Sequence, residues 1–198
     1  IEDPIVCVQW SALIAVSYAA RDFGISRMDR IDDAKKKCPN LVPVHTAVFK
    51  KENDYWEYID KEPFPKAEDH KVSLDPYRRA STKIFRLLKN ITKNVEKASV
   101  DEWFLNLNEL IYLRLTELVP SFSIESLGKD DPLPDLELNL SMRGLLYGYD
   151  PEVDKVSDYD DLFIIIAGIL MSEIRQEIFD KLRYQTSCGV SNNKKMAK

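Results

Sequence analysis

The sequence predicts an α+β fold in two parts, a small mixed α/β domain over residues 1–71 and a second domain over 72–198. Three observations carry this reading. Two short β-prone runs, 95–100 and 103–107, flank the adjacent carboxylates Asp101 and Glu102. Asp75 followed by Pro76 is an N-cap with proline at the first helical position, and behind it Tyr77, Ala80, Ile84, Leu87, Leu88 and Ile91 fall on one helical face. From 158 to 182, Leu162, Ile165, Ile166, Ile169, Ile174 and Ile178 make a helix so apolar that it must be buried, against a sheet.

The remaining elements follow in chain order. Residues 5–10 read as a strand, and 16–23 as a helix closed by Gly24 at its C′ position. A second short helix over 28–37 is stopped by Pro39, and a strand occupies 41–49. The polar stretch 50–71, with Pro63 and Pro65, reads as a crossing between domains, so the second part begins near residue 72. After the long helix and the hairpin come a helix over 108–119, the apolar helix, and a final strand over 184–191 that leads into a basic helix start. Helix, hairpin, helix, strand is most of a ferredoxin-like α+β arrangement without its first strand.

With 198 residues, 44% hydrophobic and 31% charged, the chain can bury a real core as one domain or two small ones. No apolar run approaches the roughly 20 residues that span a bilayer. The longest is 162–171, and no signal peptide is visible, although a chain without an initial Met leaves an upstream signal open. Cys7, Cys38 and Cys188 show neither a zinc spacing nor a disulfide framework, which fits a reducing compartment, cytosol or nucleus. The net charge of −5 is uneven: residues 120–161 hold eleven acidic and three basic side chains, so the remainder carries +3. That acidic stretch includes Asp130-Asp131-Pro132-Leu133-Pro134-Asp135 and is expected to be a surface insertion with no part in chemistry. Lys35 to Lys37, Lys50, Lys51, Arg78, Arg79 and Lys83 read as solvated helix faces rather than a groove for phosphates. His45 and His70 lack metal-ligand spacing, and no glycine-rich phosphate loop or Ser-His-Asp pattern is present.

Chemistry therefore rests on Asp101 and Glu102. Two carboxylates at a strand end offer oxygen ligands to a hard divalent cation, the arrangement of a metal-dependent phosphoryl-transfer site. Other ordered segments stand beside them: Val6-Cys7-Val8-Gln9-Trp10, Ser17-Tyr18-Ala19-Ala20-Arg21-Asp22-Phe23-Gly24-Ile25-Ser26-Arg27, His45-Thr46-Ala47-Val48-Phe49, Pro76-Tyr77-Arg78-Arg79-Ala80-Ser81, Ser99-Val100-Asp101-Glu102 and Thr186-Ser187-Cys188-Gly189-Val190-Ser191. Together they resemble the Y-family DNA polymerases over nearly the whole chain, and within them the eta subclass, its fungal members most.

The resemblance implies a DNA-directed DNA polymerase that carries out translesion synthesis past ultraviolet damage in the nucleus, by two-metal nucleotidyl transfer on primer-template DNA with deoxynucleoside triphosphates. It makes 1–71 a small α/β fingers domain and 72–198 a ferredoxin-like palm with its first strand missing. By the same resemblance Asp101 and Glu102 are magnesium ligands and catalytic carboxylates for two Mg2+ ions, a third carboxylate lying on the missing strand before residue 1. Tyr18, Arg21 and Arg27 match positions that bind the nucleotide triphosphate, which suits guanidinium forks. Gln9 and Ile14 match positions that face the template base, Ile14 being open to a plain core role. Asn106 and Trp103 depart from the family pattern around the hairpin, and a triphosphate-binding lysine is expected beyond residue 198. The chain is thus expected to be an internal piece that does not polymerise by itself, with sliding clamp and ubiquitin contacted only through other regions. Two readings stay open beside this one: a catalytically lapsed homologue that keeps DNA or partner contacts, and another two-metal enzyme such as a nucleotide cyclase, which would leave Gln9 and Tyr18 unexplained.

Overall fold

A computed structural model of the chain describes residues 3–50, 52, 54–59, 62–120, 122, 123, 133, 156 and 158–198. It divides into two compact units, 1–79 and 80–198. The acidic stretch expected between 120 and 161 lies mostly outside the described residues.

The first unit is built on a three-stranded sheet of order β2-β1-β3, from β1 (Ile5–Gln9), β2 (Ala12–Val16) and β3 (Val42–His45). β1 pairs antiparallel with β2 through a two-residue turn, Trp10-Ser11, and parallel with β3, with Val8 opposite His45. Val6, Val8, Leu13 and Val16 turn one sheet face inward against Ala20, Ile25, Ile31, Ala34, Cys38 and Leu41. These come from α1 (Tyr18–Arg21), α2 (Ile31–Lys37) and the loops beside them. Ser17 caps α1, its hydroxyl accepting from the Ala20 N–H at 3.2 Å. Gly24, just past α1, takes φ +70°, the left-handed conformation that ends helices.

Four sequence expectations are corrected here. The helix expected over 16–23 is shorter: Val16 still belongs to β2, paired with β1, Ser17 is the cap, and α1 spans only Tyr18–Arg21. The strand expected over 41–49 is two strands in different sheets, split at the buried Thr46 and Ala47. The polar stretch 50–71, read as a crossing between domains, contributes strands: β4 (Val48–Lys50) pairs antiparallel with both β5 (Trp56–Glu57) and β6 (His70–Val72) in a second small sheet. The second short helix begins at Ile31, not at 28. That sheet is tied to the start of α3 (Asp75–Ile91): the Ser73 N–H donates to Ala47 O at 2.8 Å, and the Ala47 N–H to Tyr77 Oη at 3.1 Å.

In the second unit the rest of α3 packs with α4 (Asn108–Leu118) and α5 (Tyr159–Leu182) around Ile84, Leu88, Ile111, Leu115, Ile166 and Ile174. α5 starts where the sequence places it, Asp158 accepting from the Asp161 N–H at 2.9 Å. The hairpin of β7 (Val95–Lys97) and β8 (Trp103–Leu105) lays Trp103 and Leu105 against this core. Residues 184–191, expected as a strand, join no ladder among the described residues. They are fastened instead by Arg175, whose Nε donates to Thr186 O at 2.7 Å, and they run closely past α6 (Lys194–Ala197). A Cβ on Gly189 would stand 2.1 Å from Ala197 O, so only glycine allows that approach.

Candidate active site

Asp101 and Glu102 lie together in the turn between β7 and β8, both exposed. The turn is closed by Ala98 and Ser99, whose N–H groups donate to Glu102 O at 3.0 and 3.2 Å. The Ser99 hydroxyl donates to Asp101 Oδ1 at 2.6 Å and accepts from the Asp101 N–H at 3.3 Å, so the aspartate is held in one rotamer by its own turn. Lys198 Nζ stands 3.5 Å from Glu102 Oε2. Lys194, one turn earlier on α6, pairs with Glu96 and lies over the Phe104 ring, with its Nζ 5.5 Å from the centroid. The sequence reading missed Lys194 and Lys198 as neighbours of the carboxylates, because 96 residues separate Lys198 from Glu102 and only the fold joins them.

Beside this turn an open groove of about 1280 Å³ is lined by β8, α5 and residues 185–198, and Asp101 and Glu102 belong to its lining. Trp103 Nε1 is buried with no hydrogen-bond partner among the described residues. As a cation site the donor set fits magnesium in kind: two exposed carboxylates, all oxygen, leaving room for the waters and phosphate oxygens that this ion retains. No group of three or more His, Cys, Asp or Glu that could hold a metal occurs among the described residues, so these two carboxylates would be the protein's share here.

The other candidate residues belong to the first unit. Gln9 and Ile14 are half-buried on the β1–β2 hairpin, Gln9 opposite Ala12. The register slips between Cys7 and Val8, which leaves Ile14 as the extra residue of a bulge, away from the buried Val8 and Leu13. Ile14 is therefore absent from the core cluster of that unit. Tyr18 is 68% exposed at the start of α1, and the Arg21 guanidinium lies 4.9 Å from its ring centroid. Arg27 sits in a stapled loop: Asp29 accepts from the Ser26 N–H at 2.8 Å and from Lys37 Nζ at 2.8 Å, and Lys37 also donates to Gly24 O at 2.9 Å. The Lys37 ammonium and the Ser26 N–H hold the Asp29 carboxyl below its ordinary range. Arg21 and Arg27 are exposed, and neither has an acidic partner among the described residues. The structure thus gathers Tyr18 with Arg21 and Gln9 with Ile14 in one unit, and Asp101 with Glu102 in the other.

One residue passed over in the sequence organises the hairpin. His45 is fully buried, with Nε2 accepting from the Trp10 N–H at 3.0 Å and Nδ1 hydrogen-bonded to Thr46 O at 2.8 Å. Its ring lies between Trp10 and Phe64, at 5.3 and 5.7 Å between centroids. Burial pushes its pKa below the ordinary histidine value.

Among known proteins, the chain is 39% identical to DNA polymerase eta of Saccharomyces cerevisiae, over all of this chain and 36% of that one. It is 35% identical to N-acetyltransferase eso1 of Schizosaccharomyces pombe, over 98% of this chain and 23% of that one. The chain therefore spans about a quarter to a third of the length of these relatives. The crystal structure of DinB from Sulfolobus solfataricus aligns with a TM-score of 0.52 at 18% identity, covering 98% of this chain and 36% of that one. A Dbh ternary complex aligns with a TM-score of 0.53, also at 18% identity, over the same shares. At that identity the likeness speaks for the mixed α/β fold with small sheets. The model of the impB/mucB/samB family matches residues 1–198, the whole chain, and the chain belongs to that family, the Y-family polymerase domain.

Proposed function

We propose that the protein to which this chain belongs is a DNA-directed DNA polymerase of the eta type, a nuclear enzyme that extends primers past ultraviolet lesions. The observation that carries the reading is the pair of exposed, adjacent carboxylates in the β7–β8 turn of a chain matched to this family over its whole length. Asp101 and Glu102 would hold magnesium, two ions when a further carboxylate from outside these residues joins them. Bound there, magnesium supplies charge neutralisation along the triphosphate and at the primer hydroxyl. Ser99 keeps the Asp101 carboxylate pointed through a hydroxyl donor. Arg21 and Arg27, permanently charged forks without acidic partners among the described residues, would clamp phosphate oxygens, with the Tyr18 ring supporting Arg21. Gln9 would offer its amide to the template side of the nascent pair, and Ile14 a flat apolar surface above it. A sliding clamp and ubiquitin belong to the same reading, through regions outside this chain.

The test is magnesium-dependent primer extension by the full-length protein opposite a thymine dimer. Extension past the dimer supports the reading. DNA binding without extension would move it to a lapsed homologue, and primer-independent turnover of a nucleoside triphosphate to a cyclase-like enzyme.

The arginines give a separate expectation. Arg21→Ala and Arg27→Ala each raise the KM for the incoming nucleotide about ten- to hundredfold, the size of one lost charge-assisted phosphate contact of roughly 1.5–3 kcal/mol. Melting is unchanged, since both side chains are exposed. Steady-state kinetics with varied nucleotide, run beside thermal melting, checks this; equal KM values in parent and variants would remove both residues from the triphosphate site.

A further inference from the structure

We infer that His45 is a positioning residue: through Nε2 it latches the Trp10-Ser11 turn and so fixes where Gln9 presents its amide. The inference rests on the template-facing role proposed for Gln9.

Trp10 occupies the first position of the two-residue turn with φ 60°, a left-handed conformation that a non-glycine residue adopts only at a cost. Something must hold it there. Ser11, the other turn residue, is held from α2: the Ile31 N–H donates to Ser11 O at 3.3 Å, and Arg30 Nη2 reaches Ser11 Oγ at 3.4 Å. The Trp10 N–H has a different partner, His45 Nε2. The identity of its partners fixes the tautomer of His45. Thr46 O can only accept, so Nδ1 carries the proton; Trp10 N can only donate, so Nε2 carries the lone pair. The ring is immobilised by its position at the end of β3, where Val8 O accepts from the Thr46 N–H at 2.9 Å, and by the flanking Trp10 and Phe64 rings. A rigid ring with a donor at one nitrogen and an acceptor at the other thus connects the end of β3 to the strained residue next to Gln9.

Protonation would set an Nε2–H against the Trp10 N–H, two donors face to face, and open the latch. Among the titratable groups on the neighbouring elements, His70 on β6 acts on His45 electrostatically, and Cys7 on β1 and Tyr77 on α3 are partly buried beside it in the same unit. Burial raises the pKa of the Cys7 thiol and the Tyr77 phenol, so both stay neutral through the range that matters. A charge on His70 acts in the same direction as burial and disfavours the His45 cation. A histidine whose folded pKa lies below its unfolded one contributes stability that is full above the unfolded value, near 6.5. That contribution is lost as pH falls from there toward the folded value. The latch is closed at neutral pH and opens in acid.

Two measurements on the full-length protein test this. First, hydrogen exchange of the Trp10 amide is followed against pH together with the 15N shifts of His45, in the parent and in His45→Gln, whose amide can offer both a donor and an acceptor. Expected are an Nδ1–H tautomer at neutral pH, a Trp10 amide whose protection falls as His45 protonates, and protection in His45→Gln that does not vary over that range. Second, nucleotide incorporation is measured in a cycle of His45→Phe, Gln9→Ala and the double variant. His45→Phe, which keeps the ring and removes the acceptor, is expected to lower kcat/KM about tenfold by misplacing a contact without removing it. Gln9→Ala then adds less than twofold in that background, whereas His45→Gln stays within about threefold of the parent. Additive effects of His45→Phe and Gln9→Ala, or a Trp10 amide whose protection ignores the titration of His45, would overturn the inference. If His45→Phe does not fold, the exchange and tautomer measurements on the parent decide alone. If the parent does not extend primers, the proposed function fails and the latch is still decided by exchange.

Discussion

Replacing either Asp101 or Glu102 by alanine is expected to reduce primer extension by the full-length protein by about three orders of magnitude or more, equivalent to roughly 4 kcal/mol of transition-state stabilisation. Because both side chains are exposed in a turn, the melting temperature should not move, which separates loss of chemistry from loss of fold. The two substitutions differ in what else they disturb. Asp101→Ala removes the acceptor of the Ser99 hydroxyl, and Glu102→Ala frees Lys198. Asp101→Asn divides these roles, since it keeps an acceptor for Ser99 while losing the charge. If ligation is the role, Asp101→Asn is as inactive as the alanine variant, and raising the magnesium concentration recovers little. Recovery of activity in Asp101→Asn would mean that the turn's hydrogen bond, and not the carboxylate charge, was what mattered, and the metal assignment would fall.

What the sequence made legible were the features that local chemistry decides. The apolar stripe from Leu162 to Ile178 yielded α5 to within a residue, and the Asp75-Pro76 pair opened α3. The carboxylate pair between β-prone runs lies in a hairpin turn as read. The misses share one cause, that pairing partners decide strands. The helix read from Val16 starts too early: Val16 is taken by the ladder that Ala12 to Val16 makes on β1, and α1 begins only after Ser17. β5 and β6 are two and three residues long, too short for any period to show. Residues 184–191 have strand-like composition, yet Arg175 and the close pass of Gly189 by Ala197 fasten them in place of a ladder. At the site, the charged residue types were legible and their neighbours were not. Lys198 reaches Glu102, and His45 reaches Trp10, across separations that no spacing rule covers.

Leu115→Ala is expected to be the most destabilising single change in the second unit. Leu115 is fully buried on α4, within the cluster that α3, α4 and α5 build. Truncation removes its transfer free energy and leaves a cavity that well-packed neighbours such as Ile166 and Ile111 cannot close, together about 2–5 kcal/mol. One position away on the same helix, Arg114 makes a bidentate pair with Glu173 of α5, with N–O distances of 3.0 and 2.8 Å. The pair raises the pKa of Arg114, yet its arginine and glutamate side chains are 31% and 52% exposed. Solvent screening keeps such a pair to about 1 kcal/mol or less, so Glu173→Ala should cost far less than Leu115→Ala. Denaturant unfolding of both variants checks the ranking, and amide exchange checks its reach. The core of the first unit, around Val6, Val8 and Leu13, is a separate cluster, so protection of β1 should survive Leu115→Ala while protection of α4 and α5 collapses. Equal loss of protection in both clusters would mean that the chain unfolds as a single cooperative body. A larger loss from Glu173→Ala than from Leu115→Ala would mean that the ion pair, not apolar burial, holds α4 on α5.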